Sequence, residues 1–183
     1  KSVEGMQGED AKYLKTIATL KHFAANNCEG ERQTGTSVMT EKTFREYYTR
    51  TFKDIVESSN PASVMSSYNA LTISRNGEVF SDYIASSANK YLLTDLLRRT
   101  WGFSGYVVGD CGAWENLFGR QSMRQKLFPD WNLDDITAPM AVSKAFNAGN
   151  NLDCGSRAQG STFESVEQGW MSEETLDVAV YSL

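Results

Sequence analysis

Two aspartates of this sequence stand at the ends of short apolar runs, where a side chain could do chemistry. Residues 106–109 (YVVG) lead directly into Asp110, and Asn151 and Leu152 lead into Asp153. Each aspartate is followed by cysteine and glycine, so the motif Asp-Cys-Gly occurs twice. A carboxylate in such a place can act as a nucleophile or as an acid or base, or it can simply cap the next helix.

Two other apolar runs end in polar side chains that could join these aspartates. The run IATL is followed by Lys21 and by His22, the only histidine, and the run SVMSS is followed by Tyr68 and Asn69. Lysine and histidine beside a carboxylate would favour its charged form and would donate hydrogen bonds to hydroxyl groups. The aspartate could then be a phosphoacceptor or a nucleophile at a sugar carbon. Each of these residues also has an ordinary structural role open to it, in a turn or in the core.

Four apolar runs alternate with helical patterns along the chain. Apolar residues recur with the helical period at 44–56, 91–97 and 139–146, and a last helix begins near Ser172. This alternation predicts an α/β fold with parallel strands, whose carboxyl-terminal ends face the ligand site. Two architectures fit: a doubly wound sheet, or a partial TIM-like (β/α) barrel of about four βα units, since a whole barrel takes about 250 residues.

Local signals mark the starts of two helices and leave two long loops between the units. Thr43 and Glu46 have the spacing of a capping box, and Asn89 is a suitable N-cap. We expect loops at about 69–87 and 114–137, both of which contain aromatic residues. Long aromatic loops at the ends of parallel strands commonly build a ligand pocket.

Composition and charge exclude several classes of function. The 183 residues are 40% hydrophobic and 22% charged, with a net charge of −5 and no cluster of lysine and arginine. Nucleic acid is therefore not an expected partner, and no apolar stretch is long enough to span a membrane. The sequence contains no nucleophile motif G-x-S-x-G, no phosphate-binding loop and no dinucleotide fingerprint.

The three cysteines, Cys28, Cys111 and Cys154, do not indicate a disulfide framework, because their number is odd and none is in a C-x-x-C pair. A metal site drawn from Cys111, Cys154 and His22 is a less favoured alternative, because no pair has the spacing of zinc ligands. We therefore predict buried free thiols, with the cysteine after each aspartate packed in the core. We expect neither a metal nor a cofactor.

Four longer blocks occur in the order and spacing of a known family. They are LKHFAANN (20–27), SVMSSYNAL (63–71), LLTDLLRRTWGFSGYVVGDCGA (92–113) and AGNNLDCGS (148–156). These blocks resemble glycoside hydrolase family 3, and the first and third together are very specific for it. The resemblance extends from GMQGED near the start to VEQGWMSEETLDVAVYSL at the end, so it covers nearly the whole chain.

The resemblance implies a fold and an activity. Members of the family are typically retaining, exo-acting β-glycosidases, which remove one sugar from a non-reducing end by double displacement. Their first domain is a TIM-like barrel, and this chain resembles the C-terminal half of that barrel. Asp110 stands at the place of the catalytic nucleophile.

The resemblance also implies which residues surround the nucleophile. Four match residues that bind or line the sugar site: Lys21, His22, Met65 and Tyr68. The Lys-His pair of the family binds sugar hydroxyls, and the tyrosine lies near the nucleophile. Glu29 and Arg32 match the motif N-x-E-x-x-R that often follows, and we give them a supporting role. Asp153 is expected to be structural, as a cap or a support for its neighbours.

Three departures from the family bear on the substrate. Many members have Asp-Trp where this chain has Asp110 and Cys111. The Asp-Cys form, with Leu-Asp-Cys-Gly on the last strand, resembles the β-xylosidase branch and tilts the expected substrate from glucosides towards xylosides. Gly109 stands where serine or threonine is usual, and the loop at 72–86 is longer than the usual link.

Residues 1–183 are accordingly expected to form a single, incomplete domain, a fragment of the N-terminal catalytic barrel. The sugar-binding aspartate and arginine of the first half-barrel have no counterpart here, and neither has the general acid/base, a glutamate that usually lies on a later domain. We expect three partners: an oligosaccharide or aryl glycoside as substrate, the missing barrel half, and the C-terminal domain of the parent chain. The isolated fragment should be weak or inactive, and the alternative function is a carbohydrate-binding fragment without catalysis.

The N-terminus KSVEGMQGED has neither a starting methionine nor the apolar segment of a signal peptide. We therefore expect a piece of a longer chain. The compartment of that parent is left open among the cytoplasm, the periplasm and the extracellular space.

Overall fold

The site of interest lies on a small parallel sheet. The computed structural model describes residues 1–10, 12–119, 124 and 126–183. Strands β1 (Thr19–Phe23), β3 (Ser63–Ser66) and β6 (Tyr106–Gly109) form this sheet in the order β1-β3-β6, and both neighbouring pairs are parallel. A single parallel bridge from Val108 to Leu152 adds the fourth apolar run to the edge of β6. The predicted α/β fold with parallel strands is confirmed.

The first strand lies further along the chain than its apolar run indicates. Ile17 belongs to the predicted run, but its side chain is 44% exposed, whereas Phe23 is completely buried at the end of the observed strand. Burial of the aromatic ring draws the strand forward, because a large apolar side chain gains more from leaving water than the residues before it. Lys21 and His22 consequently lie within the strand and not after it.

A second sheet occupies the region where we predicted a long loop at 69–87, so that prediction is wrong. Strand β2 (Thr36–Thr40) pairs in parallel with β4 (Ala70–Arg75), which pairs antiparallel with β5 (Glu78–Ala85). The two residues between β4 and β5 are Asn76 and Gly77, with φ of +52° and +86°. An Asn-Gly pair with positive φ makes the tight turn of a β-hairpin, and this signal was present in the sequence.

Helices follow the strands in the expected alternation. The α-helices are α1 (Ser2–Gln7), α2 (Glu41–Thr43), α3 (Arg50–Ser59), α4 (Ala113–Gly119), α5 (Ala138–Ala148), α6 (Arg157–Glu167) and α7 (Glu173–Tyr181). The segments Phe44–Tyr48 and Tyr91–Thr100 are π-helical, and short 3-10 turns cover Glu29–Glu31, Ser86–Ala88 and Leu133–Asp135. Within the part of the chain that the structure describes, no helix is long and apolar enough to cross a membrane.

The helix caps agree with the sequence at two places and differ at one. Asn89 accepts a hydrogen bond from Leu92 N at 3.1 Å, and Ser172 Oγ accepts one from Thr175 N at 3.2 Å, as N-caps do. The N-cap of α2 is Thr40, whose side chain accepts a hydrogen bond from the backbone N–H of Thr43, three positions further along. The predicted capping box at Thr43 is therefore wrong, because the helix has already begun there.

Part of the predicted aromatic loop at 114–137 is helical and packs in the core. Helix α4 begins at once after the strand-end turn, and Trp114 is only 1% exposed. Phe128 is also buried, while Trp131 packs edge-on against Trp170 with ring centroids 5.4 Å apart. Residues 120–123 and 125 of this predicted loop lie outside the described residues. Two of its aromatic side chains thus support the fold and do not line a ligand pocket.

Two apolar clusters hold the elements together. One packs Val64 and Val107 of the parallel sheet against the four leucines of the π-helix Tyr91–Thr100. The other packs Trp114 edge-on against Phe146 of α5, with ring centroids 5.0 Å apart. The parallel sheet is therefore supported from behind. The turn after β6 reaches the surface at Cys111, whereas residues 67–69 after β3 are buried.

Glu41 at the start of α2 joins three elements. Arg75, at the end of β4, donates to its carboxylate from Nε at 2.5 Å and from Nη2 at 2.8 Å, and the Tyr91 hydroxyl donates at 2.8 Å. The hydrogen bonds from Arg75 lower the pKa of Glu41 from 4.5 to about 2, and they outweigh partial burial, which raises it. The ionised carboxylate thus ties α2 to the second sheet and to the π-helix Tyr91–Thr100.

We predict that Glu41→Gln lowers the free energy of unfolding at neutral pH by about 2 kcal/mol, because the amide loses the charge that Arg75 binds. The stabilisation by Glu41 is complete above its unfolded-state pKa of 4.5 and is lost as the pH falls towards 2. Urea unfolding of both proteins at a series of pH values measures this, and the difference should shrink below pH 4.5.

Glu46→Gln is the matched control for this prediction. Glu46 is exposed, and its only ion pair among the described residues joins its Oε2 to Lys42 Nζ at 4.0 Å. This variant should change the free energy of unfolding by less than about 0.5 kcal/mol. Equal losses in the two variants, or a loss in Glu41→Gln that does not depend on pH, would contradict the role of Glu41.

Candidate active site

Asp110 lies directly after β6, at the carboxyl-terminal edge of the parallel sheet. Its backbone N–H donates to Ser66 O at 3.0 Å, and its Oδ1 accepts from Cys111 N at 2.9 Å. The side chain is 14% exposed, and its second oxygen, Oδ2, is buried without a hydrogen-bond partner among the described residues. One oxygen of the carboxylate is therefore held by the turn, and the other is left unused.

His22 of β1 faces this unused oxygen. Its Nε2 is 3.4 Å from Asp110 Oδ2, which is a close contact without the geometry of a hydrogen bond. Its side chain is 28% exposed, so a ligand can reach the histidine. Lys21 is exposed beside it and, with His22, lines a hollow that Asn26 and Tyr48 also border. The peptide bonds Lys21–His22 and Phe23–Ala24 are cis.

Tyr68 fixes the turn that follows Asp110. The tyrosine is buried, and its hydroxyl donates to the backbone carbonyl of Cys111. Burial raises the pKa of Tyr68, and the negative charge of Asp110 raises it further. The hydroxyl therefore keeps its proton at neutral pH and remains a donor to the turn.

Arg32 and Glu29 reach the site through Tyr68. The Arg32 guanidinium lies over the Tyr68 ring, 4.7 Å from its centroid, in a cation–π contact. Glu29 binds the same guanidinium at 2.5 Å and accepts a hydrogen bond from Asn26 at 3.3 Å. Arg32 thus touches a residue of the site directly, whereas Glu29 acts one step further away.

Met65 lies on β3 in register with Val108, two residues before Asp110. Val64 and Ser66 on either side of it are completely buried, but Met65 is only half-buried. Because neighbouring strand residues face opposite sides of a sheet, Met65 faces away from the core behind Val64. This position is compatible with the predicted place of Met65 in the lining of the site.

Asp153 has a different environment from Asp110. Its Oδ2 accepts a hydrogen bond from Ala158 N at 3.0 Å, in the first turn of α6. Burial raises the pKa of Asp153, and this hydrogen bond from the helix opposes the rise. Its Oδ1 also lacks a partner among the described residues, but the histidine of the site contacts Asp110. The geometry fits the structural role that we expect for Asp153.

Cys111 and Cys154 form a disulfide, so the prediction of two buried free thiols is wrong. Their Cα atoms are 4.3 Å apart, and Cys111 is exposed. The bridge from Val108 to Leu152 makes the two segments neighbours, which brings the two Asp-Cys-Gly motifs side by side. The cysteines consequently offer no thiolate to a metal, as the less favoured alternative required. Cys28 is a free thiol, and it is exposed.

Gly109 is required by the packing of Trp114. A Cβ atom at position 109 would lie 2.8 Å from Cδ1 of the buried indole and closer still to its Nε1. The usual serine or threonine of the family therefore has no space here. The indole of Trp114 occupies that space and supports the backbone immediately before Asp110.

A parallel sheet of βα units with a carboxylate and a histidine at its carboxyl-terminal edge fits part of a TIM-like barrel domain. The model of the glycosyl hydrolase family 3 N-terminal domain matches residues 1–181. The chain belongs to glycoside hydrolase family 3.

Several known proteins are similar to this chain, and they are glycoside hydrolases. An exo-1,4-β-xylosidase of Emericella nidulans is 34% identical over 188 residues, which cover 99% of this chain and 22% of that protein. A thermostable β-glucosidase B of Acetivibrio thermocellus is 44% identical over 96 residues, 52% of this chain and 11% of that protein. The chain thus spans about one-fifth of the length of the xylosidases it matches.

Solved structures show the same relationship. A family 3 exo-β-xylosidase in complex with a xylobiose aziridine activity-based probe has a TM-score of 0.79 and 31% identity, over 97% of this chain and 21% of that one. The β-glucosidase 3B of Thermotoga neapolitana in complex with glucose has a TM-score of 0.66 and 31% identity, over 92% and 20%. The predicted fold class and the predicted family are both confirmed.

We predict that Gly109→Ala lowers the free energy of unfolding by about 2 kcal/mol, because the added methyl group must displace the buried indole of Trp114. Chemical denaturation of the variant measures this loss. In a Trp114→Leu background the cost of Gly109→Ala should be smaller, because the smaller side chain makes space for the methyl group, and the double-mutant cycle measures this coupling.

Gly160→Ala is the matched control for Gly109→Ala. Gly160 is exposed within α6, and a Cβ atom there would meet nothing within 4 Å. Alanine is the better helix former, so this variant should be as stable as the wild type or more stable by up to about 1 kcal/mol. A loss at position 109 no larger than that at position 160 would contradict the close contact with Trp114.

Proposed function

We propose that this chain carries the nucleophile of a retaining, exo-acting β-glycosidase, and that the nucleophile is Asp110. The observation that carries the proposal is the buried Oδ2 atom of Asp110, which has no hydrogen-bond partner among the described residues and lies 3.4 Å from His22 Nε2. The other oxygen is fixed by Cys111 N, so the carboxylate is oriented while Oδ2 makes no hydrogen bond among the described residues. A retaining glycosidase needs such a carboxylate against the anomeric carbon of the sugar.

The proposed reaction is a double displacement. Asp110 Oδ2 attacks the anomeric carbon, the glycosidic C–O bond breaks, and the leaving oxygen takes a proton from a second carboxyl group. Water then attacks the same carbon, gives up a proton to that second group and releases Asp110 from the glycosyl ester. The second group must lie about 5 Å from the nucleophile in a retaining enzyme.

The neighbouring side chains supply binding and support in this proposal. His22 and Lys21 present nitrogen donors to sugar hydroxyls, since they stand on β1 beside Asp110 and are accessible. Met65 and Tyr68 line the sugar site, and Tyr68 also holds the turn through the Cys111 carbonyl. Arg32 supports Tyr68 from its ring face, and Glu29 supports Arg32.

We propose that residues 1–183 form part of a barrel whose remaining portion and acid/base carboxyl lie elsewhere in a longer chain. Two observations support this: the chain spans about one-fifth of its xylosidase relatives, and Asp153 is engaged by a backbone N–H in the first turn of α6. On this basis the isolated chain hydrolyses ordinary glycosides weakly or not at all. The alternative, a fragment that binds carbohydrate without catalysis, rests on the same two observations.

The proposed substrate is a β-xyloside, with a β-glucoside as the second choice. The xylosidase of Emericella nidulans aligns with 99% of this chain, whereas β-glucosidase B of Acetivibrio thermocellus aligns with 52%. Of the two solved structures compared above, the exo-β-xylosidase has the higher TM-score, 0.79 against 0.66 for β-glucosidase 3B.

Trapping of the glycosyl ester tests the proposal. The protein is incubated with the 2-deoxy-2-fluoro glycosyl fluoride of xylose and, separately, of glucose, and the modified peptide is mapped by mass spectrometry. Fluoride leaves with the bonding electrons and needs no protonation, so an absent acid/base group matters little. We expect a stable adduct on Asp110, formed faster with the xylosyl reagent.

Asp110→Asn and Asp153→Asn are a matched pair for this experiment. Asp110→Asn should form no adduct and lose activity on the order of 10³-fold or more, since the amide is a poor nucleophile. Asp153→Asn keeps an oxygen that can cap α6 and should still be labelled at Asp110. Labelling at Asp153, or labelling that persists in Asp110→Asn, would overturn the assignment.

A further inference from the structure

We propose that the Cys111–Cys154 disulfide is a positioning element for the Asp110 carboxylate, an inference that rests on the function proposed above. Cys111 follows the nucleophile directly, and its partner lies on the neighbouring segment that begins at Leu152. The bond therefore crosses from the turn that carries Asp110 to the last segment of the sheet.

The segment that carries Cys154 is hydrogen-bonded to β6 mainly at its start, where Asn151 N and Leu152 N donate to Val107 O at 2.8 and 3.2 Å and Val107 N donates to Asn151 Oδ1 at 2.7 Å. In place of a regular ladder there is one bridge, from Val108 to Leu152. The backbone hydrogen bond from Gly109 N to Leu152 O is 2.9 Å long, and the one from Gly112 N to Cys154 O is also 2.9 Å. Cys111 lies between Gly109 and Gly112 in sequence, and Cys154 itself accepts the second hydrogen bond. The disulfide is thus the covalent part of the same connection.

Every group of Cys111 that can hold a neighbour is engaged. Its N–H donates to Asp110 Oδ1 at 2.9 Å, its carbonyl accepts from the Tyr68 hydroxyl, and its sulfur is bonded to Cys154. A displacement of residue 111 would therefore move the oxygen of Asp110 that the turn orients. In this way the disulfide acts on the nucleophile through a single intervening hydrogen bond.

The disulfide is accessible to a reductant because Cys111 is exposed. A dithiol would donate two electrons and two protons to the sulfur pair and leave as its own cyclic disulfide, so that Cys111 and Cys154 become thiols. The backbone and side-chain hydrogen bonds of the turn would remain, and the fold should survive. The carboxylate would lose its covalent support, and a misplaced catalytic group costs about ten- to a hundredfold in rate.

The experiment compares the protein at its natural full length with the double variant Cys111→Ser plus Cys154→Ser. We expect kcat, and the rate of labelling of Asp110 by the fluoro glycosyl fluoride, to fall about ten- to a hundredfold in the variant. The inhibition constant of the free product sugar should change by less than about twofold, because the groups that bind hydroxyls lie on β1. A merely structural disulfide would lower the melting temperature and leave the rates at lower temperature unchanged.

Reduction of the native protein provides the second measurement. If the double variant does not fold, this measurement tests the inference by the same criterion, a fall in rate without a loss of sugar binding. Treatment with the dithiol should lower kcat, and reoxidation should restore it. The double variant should not respond to the reductant, which excludes an effect elsewhere in the protein. Cys28→Ala is the thiol control: Cys28 is free and exposed, so this variant should keep its full rate and its sensitivity to the dithiol.

The outcomes separate this inference from the proposed function. Turnover and labelling that persist within about twofold after loss of the disulfide would overturn the inference alone. Absence of both turnover and labelling in the oxidised native protein would overturn the proposed function, and the inference would fall with it. A loss of rate without a loss of sugar binding supports the positioning role.

Discussion

A carboxylate oxygen that is buried without a hydrogen bond is the constraint on which the site depends. Leaving such a group unsatisfied costs about 1–3 kcal/mol, and more when it is charged, so the surrounding structure must hold it in place. Here Asp110 N donates to Ser66 O, Gly112 N donates to Cys154 O, and Tyr68 donates to the Cys111 carbonyl. The backbone on both sides of the carboxylate is thereby fixed, while Oδ2 remains without a partner.

A buried polar network supports the same strand end from behind. Ser66 Oγ donates to Asn150 Oδ1 at 3.0 Å, and Asn150 Nδ2 donates to Ser87 O at 2.5 Å and to Ala145 O at 3.2 Å. The network joins β3, the turn after β5 and the end of α5. Because the carbonyl of Ser66 accepts the hydrogen bond from Asp110 N, order in this network reaches the proposed nucleophile.

The main architecture and part of the site could be predicted from the sequence, because they depend on local patterns. The alternation of apolar runs and helical periods indicated parallel strands, and residues at strand ends were expected to meet, as His22 and Asp110 do. The second sheet was missed because aromatic residues at 69–87 were interpreted as a ligand loop, although Asn76 and Gly77 carried the hairpin signal.

The disulfide and the role of Trp114 depend on contacts between distant segments. Cys111 and Cys154 are 43 residues apart, and they become neighbours through the bridge and the hydrogen bonds that join residues 151–154 to β6 and the turn after it. An odd number of cysteines argued against pairing, but Cys28 is the residue left over. Likewise, position 109 has no space for a side chain because the indole of Trp114 packs against it. The sequence pattern predicted a loop at Trp114, so this contact could not be expected.

The central claim is that Asp110 attacks the anomeric carbon, and chemical rescue of Asp110→Ala with azide tests it most directly. The measurement is the configuration of the glycosyl azide formed from an activated aryl β-glycoside by the protein at its natural full length. A small anion in the space left by the carboxylate should restore turnover and give the α-glycosyl azide, because it attacks from the side that Asp110 occupied. A β-glycosyl azide, or no azide product, would contradict the assignment of Asp110 as the nucleophile.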